Sequence, residues 1–264
     1  MSNRQEPGLQ LRALRQAYGK TQLDIELDAE LGIGYLQRLE LGKVQRPEHA
    51  TLLRIVNALE ATFAERRTIF EYFGYAVPFS LPNNTETQQA IDTFLLEVAP
   101  DTIPAYLLDC SHRLLRWNAL VPYMYHAVSA GSEFAIIPRL IFDPAYEIEN
   151  SILNRDEFFS TQVRIIHYEK HRCSDEQWFA SFIAYMREVP NFDKYWVKQI
   201  SYPITRPIIR PLANLQLSTS HGPLKFRLTA QNFAQDPRFR VIYCIPSDAT
   251  TINICQKWSL NIRS

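Results

Sequence analysis

The sequence predicts an α+β chain in two parts, a small all-α domain of five helices followed by a larger domain that mixes strands with helices. The chain has 264 residues, more than one hydrophobic core usually organises. Helix-spaced apolar stripes punctuated by glycines and capping residues fill residues 1–77. In the remainder, short apolar or alternating runs lie near both ends with helical patterning between them, which suits strands flanking helices in one domain.

The elements follow in order. Leu9, Leu11, Leu14 and Tyr18 form an apolar stripe that stops at Gly19. Thr21 with Asp24 three positions on makes a capping box that starts a second helix. Gly32 opens a third element, whose Ile33, Leu36 and Leu39 lead to a terminator at Gly42. Pro47 begins a fourth helix carrying Leu52, Leu53, Val56 and Leu59. Thr62 and Glu65 form a second capping box for a fifth, with Ile69, Phe70 and Phe73 before Gly74. Residues 78–88, with two prolines among polar turn formers, read as a linker, so the second domain is expected over 89–264.

In that second part, Ile103 to Asp109 and Leu114 to Trp117 are apolar runs joined by Cys110, Ser111, His112 and Arg113, a hairpin pattern. Asn118 is placed to cap a helix from Ala119 to about His126. Helical patterning covers about 148–170, 175–188 and 191–199. Strands return at Leu215 to Thr219, at Leu224, Phe226 and Leu228 alternating with Lys225 and Arg227, and at Phe239 to Ile245.

Composition narrows the class. With 46% hydrophobic residues and 15 Phe, 13 Tyr and 4 Trp, a packed core forms without staples. Cys110, Cys173, Cys244 and Cys255 are far apart with no CxxC pair, arguing against a zinc ribbon or disulfide framework. The start lacks an apolar leader, and no run reaches the roughly 18 apolar residues of a membrane span. A cytoplasmic protein without membrane attachment is therefore expected. Charge balances at 28 basic against 28 acidic residues, and at ten against ten within 1–77. Attraction to nucleic acid must then come from how charges are arranged.

The stretch from Thr21 to Pro47, TQLDIELDAELGIGYLQRLELGKVQRP, resembles the helix-turn-helix of the XRE family of transcription regulators, that of the phage repressors. Thr21, Gln22 and Ile25 match the family's TQxxLA start, and Ala29 and Leu31 its turn. Tyr35, Leu36, Leu39, Glu40 and Gly42 match the recognition helix, and Lys43, Arg46 and Pro47 the basic loop, without a gap. The resemblance implies a lambda-repressor-like five-helix domain that binds an operator in double-stranded DNA, and an internal pair between Arg15 and Glu40. A helix in the major groove needs an anchoring face, here Leu36 and Leu39, and a reading face, here Ile33, Gly34, Gln37 and Arg38. Gly32 and Tyr35 border that face, Gln22 stands at a helix start suited to a phosphate, and Lys43 and Arg46 suit the flanking backbone. Glu26, Glu30, Gly32 and Gly34 depart from the family pattern. Glu26 replaces a small residue, Glu30 a turn glycine, and the two glycines residues that usually cap and contact DNA. Two extra carboxylates near phosphates are expected to weaken binding.

Between about Pro104 and Ile254 four patches, PAYLLDCSHRLLRWN, LIFDP, ASFIAYMREVPNFDKYW and GPLKFRLTAQNF with VIYCIP, resemble the MmyB-like ligand-binding domain. The resemblance implies a PAS-like sheet and small-molecule sensing. By residue type, Tyr106, Trp117, Met124, Tyr125, Phe182, Tyr185, Phe226, Leu228 and Ile242 are candidates for the walls of an apolar pocket. For any one of them taken alone, ordinary core packing is the more common explanation. A fatty acid is the first ligand suggested, an aromatic metabolite the second.

Catalytic and metal readings are thin. His167 and His171 share a helix face with Glu169 or Cys173 nearby, but a solvated, charge-rich helix end explains the same residues. Cys110 beside His112 offers a nucleophile and base only if a hairpin turn brings them together, and no glycine-rich phosphate loop is present. The expectation is a non-enzymatic, homodimeric, ligand-responsive regulator without cofactor or metal, the alternative being an adaptor whose degenerate helix-turn-helix and PAS-like domain make protein contacts.

Overall fold

The computed structural model describes residues 6–98, 102–125, 134–173, 176–200 and 212–263. The fold is mixed helix and sheet, in two compact units that divide after Pro78.

The first unit is built from α1 (Glu6–Ala17), α2 (Gln22–Asp28), α3 (Tyr35–Glu40), α4 (His49–Ala58) and α5 (Phe63–Tyr72). Thr21 and Thr62 cap α2 and α5 as capping boxes with Asp24 and Glu65. The third and fourth helices begin later than their sequence signals, because Gly34 takes a left-handed conformation and Glu48 is the residue before α4. Leu11, Ile25, Leu36, Leu39, Leu52, Ile55, Val56 and Phe70 share one core. Leu9 and Tyr18, on the predicted first stripe, are exposed instead. Gly8 permits α1 to lie on α3: a Cβ there would stand 2.5 Å from the Leu39 carbonyl oxygen and 2.6 Å from that of Glu40.

The second unit opens with α6 (Asn84–Thr93), continued by a π-helical turn at Phe94–Val98. Half of the predicted linker is therefore helix. Asn83 and Glu86 form its capping box, and Ala90 and Phe94 bury against the sheet. The strands are β1 (Ala105–Asp109), β2 (Leu114–Trp117), β3 (Ala213–Thr219), β4 (Gly222–Asn232) and β5 (Phe239–Pro246), an antiparallel sheet of order β2-β1-β5-β4-β3 among the described residues. β1 is buried along its whole length because both sheet faces are covered. Ala105 and Leu107 meet Ala90 and Phe94 on one face, while Tyr106 and Leu108 join the larger core on the other.

That larger core is closed by α7 (Val121–Met124), α8 (Ile137–Phe142), α9 (Ile148–Ser151), α10 (Arg155–Cys173), α11 (Gln177–Arg187), α12 (Pro190–Ile200) and α13 (Ala249–Arg263). Asn118 supports the short α7 and also accepts from the Ala105 amide, tying the helix start to β1. The helix is shorter than predicted at both ends: it starts at Val121 instead of Ala119 and stops at Met124, with Tyr125 extended after it; His126 lies outside the described residues. α13 is unpredicted from sequence; it packs on β4 and β5 and buries Cys255 and Trp258. Arg238, fully buried, ion-pairs with Glu86 and Asp236 at 2.8 and 2.7 Å, pinning the start of α6 to the β4–β5 turn.

Candidate functional site

Two sites emerge, one in each unit. In the first, α3 is held from within. Arg15 Nε and Nη2 donate to Glu40 at 2.6 and 3.0 Å, and Arg15 Nη1 donates to the Lys20 carbonyl, so the pair expected from the resemblance is present and buried. Gln22 Nε2 also donates to Glu40 at 2.7 Å, so this half-buried side chain, predicted to meet phosphate, is engaged internally.

Glu26 is the main correction. The sequence places it as a repulsive carboxylate beside a phosphate, but it is only 4% exposed and accepts from the Gly34 and Leu36 amides at 3.0 and 2.8 Å. A glycine cannot cap with a side chain, and the first turn of α3 leaves orphan amides; a carboxylate from α2 supplies the acceptor and sits favourably at the positive helix end. Glu30 does remain exposed, and it adopts the left-handed conformation (φ 52°) that the family's glycine would take freely.

With those groups turned inward, the outer surface carries Gly32, Ile33, Gln37, Arg38, Lys43 and Arg46, all exposed, with Gly34 and Tyr35 half-buried beside them. Ile33 is 87% exposed, and the Arg38 guanidinium lies over the Tyr35 ring at 5.8 Å. Three cations, an amide and an open apolar tip are thus exposed between Gly32 and Arg46.

In the second unit, a cavity of about 170 Å³ lies against the concealed side of the sheet. Of the nine predicted pocket residues it is lined by Tyr106, Leu228 and Ile242. The other six lie elsewhere. Tyr125 lines a separate, much smaller recess of about 10 Å³ with Tyr106. Met124 and Phe226 are core residues, and Trp117 packs against the core half-buried. Phe182 is buried and stacks on the His112 ring (5.4 Å, 9°). Tyr185 is 42% exposed under the Arg139 guanidinium, because α11 turns Phe179, Phe182 and Met186 inward and leaves the opposite face outside.

Sequence reasoning missed the polar lining: His112, Gln162, Thr229 and Arg240. Asp109 organises the first of these by accepting from the Ser111 amide and hydroxyl and from the Arg113 amide and guanidinium, which holds the β1–β2 turn with His112 at φ 63°. His112 Nε2 lies 2.9 Å from Glu169 and Nδ1 lies 2.9 Å from Arg240 Nη2. This pattern assigns the ring as neutral, donating from Nε2 and accepting at Nδ1. Burial first and the neighbouring Arg240 second lower the imidazole pKa, against the opposing pull of Glu169 and Asp109. Arg240 Nη1 completes the triad with Glu169 at 3.1 Å. An alternation signal existed, since Arg240 falls in phase with Ile242 and Cys244 on the buried side of β5.

The residues weighed as catalytic or metal candidates have the following surroundings. The Cys110 thiol is buried and pushed well up in pKa, and the His112 ring faces Glu169 and Arg240. His167 packs on Trp196 and Glu169 belongs to the triad; the His171 side chain lies outside the described residues. Among the described residues no cluster has the composition of a metal site, and no helix is long and apolar enough to cross a membrane.

No known protein family matches the sequence, and no curated protein matches it either.

Proposed function

We propose that the chain is a one-component, ligand-responsive transcription regulator of XRE type, in which α2 and α3 act as a helix-turn-helix and the second unit is a PAS-like sensor. The observation that carries this reading is the sorting of charge around α3. Glu26 and Glu40 are consumed by internal hydrogen bonds, while Gln37, Arg38, Lys43 and Arg46 remain exposed. A formally neutral unit can then still offer a basic surface to phosphates. Arg38 is the base reader, and Lys43 and Arg46 hold the backbone. One such unit reads few base pairs, so it acts as a homodimer on paired half-sites. A ligand in the sensor cavity shifts the population of arrangements that suit the operator. The set of residues that line the cavity is part apolar and part polar, as a small-molecule site requires.

The test is binding of the full chain to random-sequence duplex across a salt series. Affinity falls steeply with salt, and Lys43→Ala lowers the log–log slope by about 1. A flat response overturns the reading.

A second reading, a protein-contacting adaptor, is favoured by one observation: Leu23, Leu27, Ile33 and Leu41 are all exposed in this unit. Exposed apolar side chains serve protein contacts better than phosphate contacts. Replacing Arg38 and Lys43 by Ala separates the two, since only the regulator loses duplex binding.

A further inference from the structure

Arg240 is out of place by every rule of strand patterning. It stands on β5 between Phe239 and Val241, which face α6, and points to the same side as Ile242 and Cys244 in the larger apolar core. Only 7% of it is exposed. Nη1 and Nη2 are satisfied by Glu169 and His112, but Nε is buried with no acceptor among the described residues. An unpartnered N–H on a buried cation is a costly state that native interiors seldom tolerate without a role. Arg240 lines the 170 Å³ cavity.

The remaining polar walls are of matching character. Gln162 brings an amide, and Thr229 and Tyr106 bring hydroxyls; burial raises the Tyr106 pKa well above its ordinary value, so its oxygen keeps its proton. No acidic residue lines the cavity among the described residues. Glu169, the carboxylate of the triad, is already shared between His112 and Arg240. Leu228, Ile242 and Ile165 supply apolar wall. Such a site offers hydrogen-bond donors, Arg240 among them, beside hydrocarbon wall. A carboxylate, which only accepts hydrogen bonds and pairs with guanidinium more strongly than a neutral carbonyl does, complements it. Size sets the rest: a 150 Å³ apolar cavity holds benzene, so this one takes a body of roughly six to ten heavy atoms, shorter than a long-chain fatty acid.

We propose that the second unit binds a compact organic acid, aromatic or short and branched, whose carboxylate is received by Arg240 and whose apolar body lies against Leu228 and Ile242. This rests on the sensor reading above and narrows its ligand from fatty acids in general to small carboxylates.

The experiment is calorimetric titration of the full chain with benzoate, benzamide, palmitate and inorganic phosphate, repeated on Arg240→Lys and Ala230→Leu. Ala230 lines the cavity, so the added side chain fills it while leaving the triad intact. Benzoate binds, benzamide binds at least tenfold more weakly, and palmitate and phosphate do not compete. Arg240→Lys weakens benzoate at least tenfold and Ala230→Leu abolishes binding, with both variants retaining the wild-type circular dichroism spectrum. If Arg240→Lys fails to fold, Ala230→Leu and the benzoate–benzamide ratio still decide. Equal binding of benzamide, binding of palmitate alone, competition by phosphate, or no binding of benzoate overturns the proposal. Duplex binding measured on the same samples keeps the two readings apart. Benzoate binding without any change in duplex affinity leaves the site standing and removes the sensor coupling. Salt-dependent duplex binding without benzoate binding removes the site and leaves the DNA-binding reading standing.

Discussion

Glu26 Oε1 accepts the Leu36 amide at 2.8 Å, joining the side chain of α2 to the backbone of α3. A second bond from the Gly34 amide, at 3.0 Å, completes the cap. Charge alone argues that Glu26→Ala improves DNA affinity by removing a carboxylate. The geometry reverses that expectation, because Ala leaves two amides unpaired in a buried place. Glu26→Ala destabilises the first unit by about 2 kcal/mol, measured by urea denaturation of the full chain, and lowers duplex affinity as α3 loosens. Unchanged stability with tighter duplex binding would contradict the capping role.

Much of the fold was legible in the sequence because its local signals agree with one another. Thr21 with Asp24 and Thr62 with Glu65 mark real helix starts, and Leu224, Phe226 and Leu228 alternate as the sheet requires. What was illegible depends on distant partners. Asn83 and Glu86 carry the same capping signal, but prolines nearby make the segment look like a linker until Phe94 is seen against the sheet. α13 mixes polar and apolar residues and owes its place to Trp258 and Cys255 in the core. For the candidate sites, residue type found Tyr106, Leu228 and Ile242, whereas His112, Glu169 and Arg240 come from three separate segments that no spacing connects.

Gly8 tests the packing of α1 on α3. A methyl group at that position meets two backbone carbonyl oxygens inside 3 Å, and backbone, unlike a flexible side chain, cannot swing aside. Gly8→Ala therefore destabilises by about 2–3 kcal/mol, although Ala is the better helix former by roughly 1 kcal/mol. Thermal unfolding of the variant reports the balance; a rise in Tm would mean that α1 and α3 are not so closely apposed.

Glu30 tests the turn between α2 and α3. Its φ of 52° is a strained choice for a residue with a Cβ. Glu30→Gly relieves that strain and stabilises the unit by up to about 1 kcal/mol. It also removes an exposed carboxylate from the turn between α2 and α3, so duplex affinity rises at low salt, in contrast to the outcome at Glu26. Denaturation and duplex titration of the same variant check both signs, and a loss of stability would refute the strain argument.

His112 gives the second unit a pH dependence whose sign follows from its surroundings. Burial and Arg240 hold its pKa below the ordinary 6.5, outweighing Glu169 and Asp109, so the folded chain keeps the ring neutral while the unfolded chain protonates it near 6.5. Below that pH the unfolded state binds the extra proton, and stability falls with a slope approaching about 1.4 kcal/mol per pH unit for one proton. Above it the contribution is fully present. Asp24, Glu65 and Asp248, with pKa values lowered from 3.8 or 4.5, lose their contributions in a more acidic range. His112→Gln preserves a donor toward Glu169 and an acceptor toward Arg240 but cannot titrate. Any cost of Gln at φ 63° is the same at every pH and cancels in the comparison. Urea denaturation at pH 7.5 and 5.5 then shows a loss of stability in the wild type that is clearly smaller in His112→Gln. An equal loss in both proteins would mean that the ring is not held neutral, and that the triad with Glu169 and Arg240 carries the proton already.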